Sequence, residues 1–388
     1  MPIGYHYYLD SRKRLNALNI LYATTIGGTM GFFTKLIERL QSEGHHVDIA
    51  CNSEESHIPR CFAAWDCQSF QIPWTRSIFD FNNVNAIKVF RRLLSEHQYS
   101  IMHCHTPIAA VCARIASKPY RQSGLKVVYT AHGFHFYKGA PLLNWALFYP
   151  IEKLCSRWTD VLITINKEDY ELAKTKMKAR LVAYIPGVGI DSSVFHPNLL
   201  DESQRDDLRS KIGVKPDERM ILSVGELNKN KNHSFVIAAL ARLDTTNWRY
   251  VIAGEGAEKD ALRLFANRQG VADRVILLGE RDDVPLLCNA ADLFVHASFR
   301  EGLPVSLMEA MSVGIPCVAS NIRGCRDLLD SSCLFEPDNP DSLICLLDGE
   351  IARCHIERNL LISERFNVQS INERMLNLYE EIIENDKG

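Results

Sequence analysis

Short apolar runs recur along this chain with helical stretches between them, and they do so in two separate series. The first comprises Asn19–Thr24, Val47–Cys51, Ile101–His105, Val127–Thr130 and Val161–Ile165. The second comprises Met220–Val224, Tyr250–Ala253, Val275–Leu278, Leu293–His296 and Cys317–Ser320. Runs without polar alternation suit strands buried on both faces, and a helix between strands makes each connection a crossover. The pattern predicts an α/β chain of two doubly wound, Rossmann-like domains in series. With 388 residues the chain is long enough for both. A polar stretch from Pro197 to Asp207 marks the boundary, giving domains 1–197 and 198–367 before an amphipathic final helix.

Composition narrows the class. An apolar fraction of 46% is that of a globular protein, and no apolar run is long enough to cross a bilayer. Met1–Asp10 lacks the apolar centre of a secretory signal. The twelve cysteines include no Cys-x-x-Cys pair, which predicts free thiols and a cytoplasmic protein. Charge is split: residues 1–190 carry 22 Lys and Arg against 14 Asp and Glu, whereas residues 191–388 carry 22 against 33. The basic half is expected to meet something anionic. No nucleic-acid motif is present, so an anionic membrane surface or a phosphorylated lipid fits better than nucleic acid. Two helical faces are candidates, Lys88/Arg91/Arg92 with Trp74, Phe79 and Phe81 nearby, and Arg114/Lys118/Arg121.

The densest chemistry lies in Arg300–Glu309, just after the run Leu293–His296. Leu303, Leu307, Ala310 and Met311 recur at helical spacing, Pro304 suits a first helical turn, and Gly314 suits its end. A strand, tight loop and helix in that order offer free backbone N–H groups to an anion such as phosphate. Glu301 lies in the loop, and Glu309 follows two turns along the helix. A nucleotide-sugar site would use the amides for the diphosphate and the two carboxylates for hydroxyl groups.

This Glu-x7-Glu spacing resembles that of the retaining glycosyltransferases of family 4, which have the GT-B fold, and the resemblance runs over roughly residues 18 to 385. The segment Thr130–Gly139 looks like the branch that assembles bacterial capsular and extracellular polysaccharides. The resemblance implies an acceptor-binding first domain, completed by a helix 368–385 that crosses back to it, and a donor-binding second domain facing it across a cleft. It implies a UDP-sugar donor, such as a hexose or N-acetylhexosamine, and a polyprenyl-diphosphate-linked saccharide acceptor at the inner face of the membrane. No cofactor is implied and, without an Asp-x-Asp motif, no metal.

Carried over by position, the family pattern makes His132, Glu301 and Lys231 the catalytic candidates. Donor contacts fall on Gly28, Gly225, Lys231, Gly254, Arg281, Glu301, Gly302, Leu303, Pro304 and Glu309, and acceptor contacts on Gly27, Gly28 and His132. Val284 joins Arg281 in lining the base pocket, and Val188–Asp191 matches an interdomain segment. One position departs from the family: Glu226 stands where an Arg usually helps bind the diphosphate. A catalytically silent sugar-nucleotide-binding subunit and a UDP-sugar epimerase of the same fold stay open as alternatives. His103 and His105 flank Cys104 at a strand end, but alternation along a strand argues against a shared metal.

Overall fold

Every apolar run of both series forms a strand in the computed structural model, which describes residues 17–77, 80–348 and 356–384. The strands are β1 (Asn19–Ile26), β2 (His46–Asn52), β3 (Ser69–Gln71), β4 (Ile101–His105), β5 (Lys126–Ala131), β6 (Val161–Thr164) and β7 (Leu181–Tyr184). A second set follows: β8 (Arg219–Val224), β9 (Trp248–Ala253), β10 (Val275–Gly279), β11 (Leu293–His296), β12 (Cys317–Ser320) and β13 (Leu334–Phe335). They hydrogen-bond in the orders β3-β2-β1-β4-β5-β6-β7 and β10-β9-β8-β11-β12-β13. In each sheet the order reverses beside the first strand, so each has a topological switch point, between β1 and β4 and between β8 and β11. The strands that escaped the sequence reading are β3, β7 and β13. Each lies at or next to a sheet edge, is four residues or fewer, or is only partly buried.

The sheets change over between Tyr184 and Arg219. The compact units divide elsewhere: the described residues up to Val128 group with those from Leu376 on, and Tyr129–Met375 form the other. The units therefore do not coincide with domains cut at 197. The reason is a dense set of contacts between residues 132–169 and 301–327, described below.

In the first unit, Tyr22, His103 and Tyr379 form a buried polar cluster. The Tyr379 hydroxyl lies 2.8 Å from the Tyr22 hydroxyl and 2.5 Å from His103 Nδ1. His103 and His105, two positions apart, share a face of β4 and pack with ring centroids 4.1 Å apart. The alternation argument against a shared metal therefore does not apply to them; they belong to an aromatic core with Tyr22 and Phe33. Two expectations for the membrane face also fail. Arg114 is completely buried, its Nε donating to Ala110 O, because its helix turns that side to the sheet. Trp74 is likewise completely buried. Lys88, Arg91 and Arg92 are exposed, as is Phe81, whereas Phe79 lies outside the described residues.

Gly27 and Gly28 open a 3-10 turn (Gly27–Phe33) rather than an α-helix, which starts only at Thr34. A Cβ on Gly27 would stand 2.3 Å from Ser56 O. The glycine is required by a neighbouring loop, independently of any ligand.

In the second unit a buried ion pair organises two loops. Arg323 Nη1 lies 2.5 Å from Asp169 Oδ1, with both side chains nearly inaccessible. Arg323 also donates to Phe134 O and Glu301 O and stacks 4.3 Å over the Tyr137 ring. Asp169 accepts from Phe134 N and Asn166 Nδ2. Burial raises the Asp169 carboxyl above its usual range; Arg323 and the hydrogen bonds oppose that shift. Arg326–Glu168, and Lys167 N donating to Asp327, extend the connection. Removing one partner of such a pair strands a buried charge, so Arg323→Ala is expected to lower unfolding free energy by roughly 3–5 kcal/mol in denaturant titrations. The double change Arg323→Met with Asp169→Leu should recover much of that loss.

Candidate active site

Ligands of open α/β sheets bind beyond the carboxyl ends of the strands at a switch point. In the second sheet that position is set by register: Ile221 pairs with Leu293 and Val224 with Ala253, so β8, β9 and β11 end together. The loops after β8 and β11 supply Lys231 and Glu301.

Lys231 closes a short 3-10 turn whose start is capped by Asn228, with Asn228 Oδ1 accepting from Lys231 N at 3.0 Å. Its aliphatic stem passes Gly225, where an added Cβ would stand 3.1 Å from Lys231 Cε. Gly225, at φ 153°, therefore makes room for the lysine. The ammonium ends 2.8 Å from Glu301 Oε1. His296, the last residue of β11, places Nε2 3.5 Å from the same oxygen. No hydrogen bond of normal geometry reaches that buried nitrogen from any described residue, and the Glu301 carboxylate is its nearest acceptor. Burial alone would raise the Glu301 carboxyl; His296 and Lys231 outweigh it and hold the group well below its ordinary range. Burial lowers His296, and next to it His233 falls to about 3 through burial and the Lys231 charge. Both rings are thus neutral at pH 7, and the fixed charges are Lys231 and Glu301.

The Glu301 loop is held by glycine contacts. A Cβ on Gly302 would lie 2.1 Å from His132 O, and one on Gly324 would lie 2.4 Å from Gly302 O. Gly133, at φ 120°, faces Gly302 Cα. His132, at the end of β5, is thereby brought to the Glu301 loop. His132 is exposed, and desolvation lowers its pKa to about 4. A histidine lowered in this way is neutral at pH 7.

The helix after the loop is Val305–Val313, with Pro304 as its N-cap residue rather than in its first turn, and Gly314 closes it at φ 80°. Leu303, Leu307, Ala310 and Met311 are buried as the spacing required. Glu309, partly buried, has no hydrogen bond or ion pair with any described residue, and burial raises its carboxyl to about 7. Gly254, after β9, presses on Gly225 O. Arg281 follows β10, two strands from β8, and is held by both Asp283 oxygens at 2.6–2.7 Å. Glu226 is exposed and accepts from Asn228 Nδ2. The structure thus joins His132, Gly225, Lys231, Glu301 and Gly302. Gly27 and Gly28 belong to the other compact unit.

The sequence reading missed His296, Arg323 and Asp169. His296 carried a signal, being a histidine at a strand end five residues before Glu301. Arg323 and Asp169 are 154 residues apart and carried none.

Two family models match the chain: "Glycosyl transferase 4-like" over residues 20–166 and "Glycosyl transferases group 1" over 204–348. A putative glycosyltransferase of Bacillus subtilis, EpsD, is 40% identical over 289 residues, covering 74% of each chain. The chain belongs to the GT-B glycosyltransferases. A second relative is the UDP-Gal:α-D-GlcNAc-diphosphoundecaprenol α-1,3-galactosyltransferase of Escherichia coli. It is 25% identical, covering 97% of this chain and 99% of its own. Among solved structures, Anabaena HepE with UDP and glucose shares the fold at TM-score 0.76 and 20% identity, covering 94% of this chain and all of its own.

In this glycosyltransferase the His132–Gly302 approach tolerates no side chain. Gly302→Ala must open the backbone contact, and overpacking of this kind costs about 1–3 kcal/mol. The expected readout is a lower unfolding temperature together with loss of activity, whereas Gly31→Ala, where a Cβ meets only Pro59 Cγ at 3.9 Å and the backbone needs no positive φ, is the control.

Proposed function

We propose that this glycosyltransferase moves a sugar from a UDP-sugar to a polyprenyl-diphosphate-linked saccharide with retention of configuration, in assembly of an extracellular or capsular polysaccharide. The observation that carries the reading is the Lys231–Glu301 pair at the switch point, beside the first-turn N–H groups of the helix that starts at Val305 and the exposed His132. A lipid-linked acceptor is named for one relative, and UDP is bound in one neighbour of the same fold. The protein would act at the inner face of the membrane, peripherally; no helix among the described residues is long and apolar enough to span it.

In this reading Lys231 and the loop amides stabilise charge on the departing diphosphate, without a metal. Glu301 accepts from sugar hydroxyls, Glu309 from the ribose, and neutral His132 donates to a sugar or phosphate oxygen. Gly254 borders the phosphates, Leu303 and Pro304 shape the loop, and Arg281 flanks the base. Because Glu226 replaces a cation, Lys231 carries more of the diphosphate charge than it would beside an arginine. The same replacement favours the alternative of a silent nucleotide-sugar-binding subunit. Hydrolysis of UDP-sugar without acceptor, followed by transfer to a polyprenyl-diphosphate saccharide, separates the two: a folded protein that does neither across a panel of UDP-sugars is not a transferase.

Lys231 must exchange Glu301 for phosphate. Glu301→Gln frees the ammonium, so UDP is expected to bind about tenfold more tightly, roughly 1.4 kcal/mol, while transfer falls. Lys231→Ala should weaken UDP binding and lower turnover by a few kcal/mol of barrier. Calorimetry and initial rates read both; unchanged UDP affinity in both variants would remove the pair from the donor site.

Glu309 makes the site pH-sensitive. Its carboxyl titrates near 7 in the unliganded protein because burial favours the neutral form. Hydroxyl donors favour the anion, so ligand binding must first remove the proton below pH 7. UDP affinity is therefore expected to rise from pH 6 to pH 8, approaching tenfold per unit on the acidic side, and the slope should vanish in Glu309→Gln. Stability runs the other way. A carboxyl raised above its unfolded value stabilises the native state only while protonated, so that contribution is lost as pH rises towards 7. Glu309→Gln should accordingly unfold at a higher temperature than the native sequence at pH 8, but not at pH 4.

A further inference from the structure

The helix Leu142–Cys155 packs Trp145, Phe148 and Tyr149 against His135 and Phe136 but leaves one apolar face uncovered. Ten of its fourteen residues are apolar or aromatic in the sequence Leu-Leu-Asn-Trp-Ala-Leu-Phe-Tyr-Pro-Ile-Glu-Lys-Leu-Cys, yet its buried members are Glu152 and Cys155. Leu142, Leu143 and Leu154 are 86%, 73% and 49% exposed, and Ala146 and Pro150 are exposed between them. At about 100° per residue these five fall within one arc of about 120°, a mainly apolar stripe facing away from the protein. Lys153 lies in the same arc, its ammonium 5.3 Å over the Tyr149 ring, and Lys138 and Arg157 are exposed at either end. No acidic residue occurs between Glu96 and Glu152, and Glu152 points inward.

We propose that this helix docks the protein on an anionic lipid surface. Charge selects the occupant: an apolar stripe that carries Lys153 and is flanked beyond its ends by Lys138 and Arg157, in an acid-free stretch of sequence, matches the acyl boundary and headgroups of an anionic leaflet. Depth follows from Pro150, which lacks an N–H and leaves Ala146 O without its intrahelical donor; that carbonyl must stay hydrated, so the helix lies in the interface rather than in the hydrocarbon. The helix is also tied to the site. Asn144 Nδ2 donates to His135 O and Trp145 Nε1 to Tyr137 O, so its first turn is fastened to the loop that begins at His132. The inference rests on the proposed lipid-linked acceptor for its purpose, and it moves the docking face away from Arg114/Lys118/Arg121.

The test is co-sedimentation of the full chain with phosphatidylcholine vesicles with and without phosphatidylglycerol, at low and high salt. The native protein should pellet with the anionic vesicles and be partly released by salt. Leu142→Ser with Leu143→Ser and Leu154→Ser, all at exposed positions, should weaken binding at least tenfold with unchanged circular dichroism, and Lys153→Gln with Arg157→Gln should remove the salt dependence. UDP-sugar hydrolysis, which needs no membrane, is measured in parallel, so failure of the enzymatic reading is seen separately. Undiminished vesicle binding by the triple serine variant overturns the proposal. So does a native protein that is dimeric by sedimentation velocity, ignores vesicles, and becomes monomeric with the serines, because the stripe would then be covered by a second copy.

Discussion

The Arg323–Asp169 pair is the interaction on which the site depends. An isolated charge at either position would be expensive to bury, and the pair is tolerated because nearly every donor and acceptor is used. Arg323 bonds the carbonyls of Phe134 and Glu301 at once. Those carbonyls flank the two loops whose backbones meet at Gly302 and His132 O. The ion pair thus fixes the loops, and the glycines let them touch. Glycine without the pair would leave the contact loose; the pair without glycine would meet a Cβ in the way. Neither residue of the pair reaches the reacting atoms in this reading, yet both decide where His132 stands relative to Glu301.

The sequence displayed what is local. Two series of apolar runs were enough for two parallel sheets, because strands buried on both faces have no alternation to confuse them. The spacing of Leu303, Leu307, Ala310 and Met311 located the buried face of the helix after Glu301, and Gly314 marked its end. Short edge strands left no such trace: β13 has two residues and β3 reads Ser-Phe-Gln. Burial of single residues was less legible still. Arg114 shares its spacing with Lys118 and Arg121 but lies under the helix Pro107–Ser117, whereas the other two fall in the 3-10 segment that follows, and only tertiary packing decides which side of the helix faces the sheet. The apolar helix Leu142–Cys155 shows the converse, since a hydrophobic segment reads as core until the structure shows which face is covered. Long-range pairs such as Arg323–Asp169 have no local signature at all.

Electrostatics inside the site follows burial more than overall charge. The second half of the chain is strongly acidic, with 33 acidic against 22 basic residues, and by that measure should repel a nucleoside diphosphate. Exposed charges act over about one Debye length, roughly 8 Å at physiological ionic strength, so most of that acidity is screened before it reaches the loops. Within the loops, one ammonium and one carboxylate remain charged while His132, His233 and His296 are neutral. A neutral histidine can donate to an anionic oxygen without adding a cation that the unliganded site would have to bury.

That arrangement also explains why an unliganded site of this composition is stable. Lys231 without a partner would be a largely buried cation and Glu301 a largely buried anion, and each offsets the other's penalty. Glu309 has no such partner, and its carboxyl meets burial by holding its proton up to about pH 7. The two carboxylates of one short segment therefore wait in different ways, one ionised against a lysine and one poised to ionise. Environment rather than residue type divides their roles, since both are glutamates eight positions apart on the same loop and helix. In the proposed reading, a ligand that brings phosphate to Lys231 and hydroxyls to Glu301 and Glu309 would supply a partner to all three groups at once.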